Sequence, residues 1–474
     1  MPAIDDNPAG SDTGIVASVK LAPNPQDNLY TVIGDRQVRA KADLVLHPYD
    51  KVRLDQTDSR GIRHAEILGR ASHEEYVAVI KQLLDRVAFG YKVGRRTGIW
   101  ARQLEEATAA MEAELRRAAY RLATSLLAGA PIIVRFHNDC DGLSGAMALF
   151  KSFLAATAGS GWAEPNVTWQ INRSVAYEEG SFYSDLAVFN GHLSVEQPLI
   201  VITDFGTTKE SEKAVELAKG RAEFVWLDHH PVYEGLHRDS IYIYINPWDF
   251  GSNSDYTAGF LSSTLAEFIY GIDAGEFKMA SLIGDYSIYA NRKDTRASKL
   301  AMALDYVTSD RKSYDNPTPR SLSRMMEDSA VLDEMYACAS TAMGEALEAG
   351  SHAIKRYCTS SGINIFTLDF EEVGHMESSY PPPGKYSSRL QEILEGTNGD
   401  STMTVVYYKS YISIRATRHV AEMVDMQAVA DSLGRSTPYM RSFGGHSTAA
   451  SIGVEREHIG EVVRLLLLEL GARP

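Results

Sequence analysis

Between Ser11 and Gly69 the chain runs in short alternating or β-branched stretches: GIVASVKL, NLYTVIG, RQVRAKADLVL, DKVRL and IRHAEILG. Turn-rich pieces such as APNPQDN and QTDSRG separate them. A period of two predicts strands, because successive side chains of a strand face opposite sides. Several short strands at this spacing predict a small β-barrel of the OB type over residues 11–70. The acidic stretch before it reads as a disordered tail over residues 1–10.

The period then lengthens to that of a helix. Ser72, with Glu75 three residues on, predicts a capping box opening a helix through about Phe89. The segment GYKVGRRTG breaks that helix. A second helix from about Arg102 to Leu127 places Leu104, Met111, Leu115, Leu122 and Leu126 on one stripe. Residues 71–129 therefore read as a helical connector.

From Pro131 the apolar runs PIIVRF, VTWQI, LIVITDF, EFVWLDH and IYIYIN alternate with helix-like stretches. This alternation predicts an α/β fold, a mostly parallel sheet covered on both faces, over residues 130–310. A long helical stretch from about Pro319 to Tyr357 serves as a linker within residues 311–360. Strand texture then resumes in INIFTLDF, MTVVYYK and YISIRAT, and the helix HIGEVVRLLLLEL follows. Residues 361–474 are expected to form a second, smaller α/β domain.

Composition narrows the class without changing this layout. Hydrophobic residues at 44% and charged residues at 23% are those of a globular chain. No run of about 18 apolar residues suggests a membrane span, and the acidic start lacks the apolar core of a signal peptide. Three cysteines, Cys140, Cys338 and Cys358, without a CxxC spacing, argue against a disulfide framework or a cysteine zinc site. A reducing cytoplasm is the expected location. The net charge of -15 does not exclude phosphate substrates, because bound divalent cations invert the local field.

Four charged clusters stand out: His137-Asn138-Asp139-Cys140-Asp141-Gly142 after PIIVRF, Asp204 ending LIVITDFG, Asp228-His229-His230 ending EFVWLDHHP, and Asp285 in SLIGDYS, inside an expected helix. Taken singly, an aspartate after a strand is more often a helix N-cap than a ligand, and His137 has the alternative reading of a satisfied polar residue at a strand end. Jointly they place carboxylates and imidazoles at one sheet edge, a donor set suited to Mn²⁺ or Mg²⁺. Two such ions can activate water and hold the oxygens of a phosphate.

In this order HNDCDG, TDFG, LDHHP and GDYS resemble the four motifs of the DHH phosphoesterase superfamily. INPWDFGSN resembles its RecJ-like branch. SIRAT at Ser413–Thr417 and FGGHSTAAS at Phe443–Ser451 resemble the DHH-associated domain. The resemblance covers about residues 130–455. It implies that His137 and Asp139 hold one metal and Asp141 the other, with Asp204 bridging and His229 and Asp285 completing the second site. It further implies that Asp228 orients ligands and His230 contacts the phosphate or assists the leaving group. Arg415, Gly444, Gly445 and His446 would grip a substrate phosphate. Two departures, FGGH without a third glycine and AAS in place of AAG, imply a modified grip.

The activity this implies is metal-dependent hydrolysis of phosphodiester bonds in single-stranded DNA or RNA, as in a RecJ-like exonuclease. Two divalent ions, Mn²⁺ first and Mg²⁺ second, would be the cofactors, and replication or repair proteins would be possible partners. The barrel favours single strands, with Arg36, Arg39, Lys41, Lys51 and Arg53 for phosphate and Tyr30 and Tyr49 for stacking. Short oligonucleotides or cyclic dinucleotides are the alternative substrates. A non-catalytic replication or repair scaffold is the alternative of another class, disfavoured because every expected carboxylate is present.

Overall fold

The computed structural model describes residues 13–57, 62–86, 99–158, 166–233, 235–236, 238–309, 317–374, 380–446 and 448–473. The expected tail and the segment GYKVGRRTG lie outside the described residues. The chain divides into two compact units, residues 1–298 with 318–323, and residues 299–317 with 324–474. No helix among the described residues is long and apolar enough to cross a membrane.

The first unit opens with strands β1 (Thr13–Lys20), β2 (Leu29–Ile33), β3 (Gln37–Lys41), β4 (Asp50–Thr57) and β5 (Arg63–Arg70). They pair in the order β1-β2-β3-β5-β4-β1, with β3–β5 parallel and the rest antiparallel, so the sheet closes into a five-stranded barrel. Closure of this order is the OB-type arrangement expected from the sequence. Val16, Val19, Tyr30, Val32, Val52 and Leu54 fill the interior. Tyr30 belongs wholly to this core, which removes it from the stacking role expected of it.

The strand β1 is buried along both faces from Ile15 to Val19, Val16 and Val19 facing the barrel interior and Ile15 and Ala17 the helices. Its outer face, with Ile33, packs on helices α1 (His73–Arg86) and α2 (Ile99–Ala128) through Tyr76, Ile80, Leu83, Leu84, Ala123 and Leu127. Gln37 Nε2 donates to the carbonyls of Leu126 and Leu127, both at 2.8 Å, satisfying the C-terminal turn of α2. The capping box of α1 is reciprocal: Glu75 N donates to Ser72 Oγ at 3.2 Å, and Ser72 N to Glu75 Oε2 at 2.7 Å. All five residues of the expected α2 stripe are buried.

The body of this unit follows as β6 (Ile132–His137), α3 (Cys140–Thr157), β7 (Val167–Asn172), α4 (Glu179–Phe189), β8 (His192–Ser194), β9 (Leu199–Thr203), α5 (Glu212–Ala218), β10 (Glu223–Leu227), β11 (Ile243–Ile245), α6 (Ala258–Tyr270) and α7 (Gly275–Gly284). Its sheet, β11-β10-β9-β6-β7, is parallel throughout. Ile133, Ile200, Ile202, Phe224 and Trp226 bury one face against α4 and α5, while α2, α3 and α6 pack on the other. Apolar side chains on both faces make these strands solid runs rather than alternating ones. The barrel is built into this body, for β8 pairs antiparallel with β1, Lys20 opposite His192.

Helix α8 (Thr295–Ser309) leads out of the first unit. The expected continuous helix from Pro319 to Tyr357 is instead α9 (Pro319–Glu327) and α10 (Ser329–Gly350), followed by β12 (Lys355–Thr359). Asp328 divides the helices by capping α10, accepting from Ala330 N at 2.9 Å. The second unit continues with β13 (Asn364–Asp369), α11 (Pro383–Asn398), β14 (Thr402–Tyr408), β15 (Tyr411–Ala416), α12 (Arg418–Met423), α13 (Met426–Ser436), β16 (Met440–His446), β17 (Ala449–Val454), α14 (Ile459–Glu469) and β18 (Ala472–Arg473). Its seven-stranded sheet, β16-β17-β15-β14-β13-β12-β18, buries one face against α13 and α14 and the other against α10 and α11.

Candidate metal centre

Three of the four clusters reach one place because their strands are neighbours and parallel. His137 ends β6, Asp204 follows β9 and Asp228 follows β10, all at the carboxyl edge where open α/β sheets bind ligands. Asp285 arrives from the side. It is not inside a helix, as the sequence suggests, but caps the end of α7, with φ -99° and ψ 12°. The next residue, Tyr286, takes a left-handed φ of 55° and ends the helix there.

Asp204 itself is left-handed, with φ 71°, a conformation that side-chain-bearing residues rarely adopt. Its amide donates to the Leu227 carbonyl at 3.0 Å. The turn carries the buried carboxylate into the middle of the cluster. Oδ2 lies 3.6 Å from His137 Nδ1, Oδ1 lies 3.4 Å from His229 Nε2, and Oδ1 lies 4.0 Å from His230 Nδ1.

The candidate donors fall into groups whose ligand atoms lie within 4.8 Å of one another. One group is His137, Asp139 and Asp204; a second is Asp141, His229 and Asp285; a third joins Asp204 to Asp228, His229 and His230. Asp204 is shared between the first and third, and His229 between the second and third, so these two residues link the groups. His229 Nε2 lies 3.3 Å from Asp285 Oδ2 and 3.8 Å from Asp141 Oδ2.

Several of these residues also hold the backbone in shape. Asp139 caps α3, Oδ1 accepting from Gly142 N at 3.1 Å, while Oδ2 meets His137 Nδ1 at 2.9 Å. Capping and ligation are therefore compatible in one side chain. Gly142 is required by crowding: a Cβ there would sit 2.5 Å from the His137 carbonyl oxygen. Asp228 Oδ1 accepts from His229 N at 2.7 Å and meets His230 Nδ1 at 2.8 Å, which fixes the His230 ring.

The charge balance of the cluster fits a cation. Burial raises the pKa of Asp141 well above the carboxylate range, and repulsion from Asp204 and Asp285 adds to it. Burial likewise raises that of Asp204, with Asp139 adding to it. For His229 burial works downward, yet Asp204, Asp285 and Asp141 together hold its pKa well above the ordinary imidazole value. So much buried negative charge calls for positive charge, supplied by protons or by metal. His229 Nδ1 faces the Ser254 carbonyl at 2.7 Å, which leaves Nε2 as the metal-facing nitrogen. That Nε2 and Asp204 Oδ2 are buried without a hydrogen-bond partner.

Sequence reasoning missed the residues behind the ligands. Asp141 accepts from Ala258 N at 2.9 Å and Gly259 N at 3.0 Å, at the start of α6, and from the Ser281 hydroxyl. A Cβ on Gly259 would lie 2.4 Å from the Asp141 carbonyl oxygen. The one available signal was Thr257 before the apolar run AGFL, an N-cap whose side chain accepts from Phe260 N. Asn246, of the INPW motif, donates to the His230 carbonyl at 2.9 Å.

The expected phosphate-gripping residues lie in the second unit. Arg415 stands on β15, its Nε donating to Ser388 Oγ at 2.9 Å and its Nη1 to the Ile414 carbonyl at 2.9 Å. Across β17, Ala449 pairs with both Arg415 and His446, and Ser451 pairs with Gly444, so these positions share adjacent ranks of one sheet. The side chain of His446 lies outside the described residues, and Gly445 contributes its backbone to β16.

No family model matches the chain. It is similar to an uncharacterized protein of Methanocaldococcus jannaschii, 24% identical over 404 residues, covering 73% of this chain and 53% of that one. The chain thus spans about half the length of that relative. Among solved structures it is similar to a DHH-domain protein described as a member of the s1p family of ribosomal proteins. The TM-score is 0.67 at 22% identity, covering 84% of this chain and 98% of that one. RecJ from Thermus thermophilus, in complex with Mn²⁺, is similar at a TM-score of 0.46 and 16% identity, covering 75% of this chain and 55% of that one. The fold is therefore the DHH type that the four motifs implied.

Proposed function

We propose that this DHH-type chain is a two-metal phosphodiesterase that hydrolyses single-stranded nucleic acid or short oligonucleotides. The observation that carries the reading is the shared, buried carboxylate of Asp204 among imidazoles and carboxylates, with His229 Nε2 and Asp204 Oδ2 left without partners. His137, Asp139 and Asp204 would hold one ion, and Asp141, His229 and Asp285 the other, with Asp204 between them. Bound divalent ions supply Lewis acidity toward a phosphate and lower the pKa of a water.

The chain's own residues do the rest. Asp228 holds His230 by Nδ1, leaving the opposite ring nitrogen for a substrate oxygen. Burial works against a proton on His230, but the Asp228 charge outweighs it and raises the pKa. His230 is thereby suited to deliver a proton to the leaving oxygen. Arg415 offers a guanidinium for a terminal phosphate.

Within this reading, short oligonucleotides are favoured over long strands by one feature of the barrel. Three of its five candidate cations already have carboxylate partners: Lys51 with Glu75 at 2.5 Å, Arg53 with Glu66 at 3.7 Å and Lys41 with Asp27 at 3.8 Å. Tyr30 is core, and the half-buried Tyr49 ring packs edge-on against Tyr76. Incubation of the full chain and Mn²⁺ with end-labelled DNA and RNA of several lengths, and with cyclic dinucleotides, tests the reading. Release of mononucleotides, fastest from the shortest strands, is expected. No hydrolysis of any of them with either Mn²⁺ or Mg²⁺ would refute it.

A further inference from the structure

The six candidate ligands are held by two different scaffolds. His137 sits at the end of β6, paired with Asn172; Asp139 is fixed by its cap on Gly142; Asp204 is fixed by Leu227. Asn172 and Leu227 lie on the strands beside those that deliver His137 and Asp204, and Gly142 lies in the first turn of α3. Asp141, His229 and Asp285 are different. They come from the first turn of α3, the end of β10 and the end of α7, elements with no common strand edge.

One segment, Ser254–Gly259, reaches all three. The Ser254 carbonyl meets His229 Nδ1 at 2.7 Å, and its hydroxyl donates to the His229 carbonyl at 2.7 Å. Asp255 holds the turn after Asp285 twice: its carbonyl accepts from Ser287 Oγ at 2.7 Å, and its Oδ1 accepts from Ile288 N at 3.1 Å. The Thr257 hydroxyl meets that of Ser281, which donates to Asp141, and the amides of Ala258 and Gly259 bind both oxygens of that carboxylate. Six consecutive residues thus set the mutual distances of three ligands. The same three form one of the candidate metal groups.

We propose that Ser254–Gly259 is the scaffold of the Asp141–His229–Asp285 metal subsite alone, with Asp255 as its positioning residue, and that the His137–Asp139–Asp204 subsite is organised independently of it. The inference rests on the metal-centre reading. Asp255 acts through the backbone that carries Asp285, which it holds at Ser287 and Ile288. Loss of such a support typically weakens metal binding by about 10–100-fold. The supports of His137, Asp139 and Asp204 lie outside Ser254–Gly259, so the other ion should be weakened less, through the shared Asp204 alone.

The test is Mn²⁺ titration of the full chain followed by electron paramagnetic resonance, which reads free ion, isolated bound ion and spin-coupled pairs. The wild-type chain should bind two ions and give a coupled signal. Asp255→Ala should weaken one ion by about 10–100-fold and replace the coupled signal by that of an isolated ion. Asp255→Asn, which keeps an oxygen for the Ile288 amide, should restore the pair. Ser287→Ala, a smaller lesion in the same turn, serves if Asp255→Ala does not fold, and should weaken the same ion. Equal weakening of both ions, or none in any variant, overturns the proposal. A wild-type chain that binds no Mn²⁺ overturns the metal-centre reading itself, so the two failures are told apart.

Discussion

The Leu227 carbonyl accepts the amide of Asp204 at 3.0 Å, a bond from the end of one parallel strand to the first residue beyond its neighbour. It holds Asp204 in a left-handed turn that residues bearing a side chain rarely adopt. The carboxylate is thereby buried among like charges, an arrangement that costs stability and that bound cations would offset.

Asp204→Asn should therefore separate stability from function. Removing one buried charge relieves repulsion on Asp141, so the metal-free variant should melt at or above the wild type. For a domain of this size about 1 kcal/mol corresponds to roughly 2–4 °C. Its Mn²⁺-induced rise in melting temperature should shrink, and turnover should fall by several orders of magnitude. Calorimetry with and without Mn²⁺, beside a hydrolysis assay, checks both. Near-normal turnover in the folded variant would exclude the bridging role.

Arg415→Ala should raise KM and leave Mn²⁺ binding unchanged, because Arg415 belongs to the second unit and the ligands to the first. Loss of a charge-assisted phosphate contact costs about 1.5–3 kcal/mol, roughly 10–150-fold in affinity. Steady-state kinetics on a 5′-phosphorylated and an unphosphorylated dinucleotide measure it. Identical constants for mutant and wild type on both would mean that the altered FGGH segment of β16 has moved the grip elsewhere.

The core behind His137 should be sensitive at one ion pair. Arg135 and Asp185 are buried and bidentate, Nη2 to Oδ1 at 2.6 Å and Nε to Oδ2 at 2.8 Å, with the Tyr177 hydroxyl donating to Oδ2 at 2.8 Å. Asp185→Ala strands a buried guanidinium and should cost about 3–5 kcal/mol. Denaturant unfolding gives the value; a change under about 1 kcal/mol would show the guanidinium escaping to water.

Deleting residues 11–69 should not yield a soluble enzyme with altered substrate length preference. It would strip Ile15, Ala17 and Ile33 from α1 and α2 and unpair β8 from β1. Aggregation is expected on expression. The substrate question is better put to Arg36→Glu, at an exposed barrel position. If the barrel is no strand platform, rates on a long strand and on a dinucleotide should change in equal proportion at both low and high salt. A selective loss on the long strand that salt abolishes would restore the platform reading.

What the sequence carries well is whatever depends on neighbours along the chain. The parallel strands, the capping box at Ser72 and Glu75 and the barrel all follow from period and local chemistry. So do the motifs ending β6, β9 and β10, because strand order alone brings their last residues together. What it hides depends on meetings across the fold. Asp285 looks helical because nothing local announces a left-handed Tyr286. The supports of Asp141 are backbone amides, which carry no residue signature. Tyr30 reads as a surface aromatic because the barrel's inner face is known only after closure. The helix expected through Tyr357 overruns because KRYCT has strand character only with β13 beside it.

The pairing of β1 with β8 sets a schedule for the growing polypeptide. Lys20 and His192 are about 170 residues apart in sequence, so β1 leaves the ribosome long before its partner exists. At roughly 5–20 residues per second, synthesis leaves the second half of that strand with one open edge for about 10–30 s. Such an edge is a template for any other extended chain, and β1 is apolar on both faces. Slowing translation between β7 and β9, or withdrawing ribosome-associated chaperones, should therefore lower the soluble yield of this protein while leaving the melting temperature of the molecules that do fold unaltered.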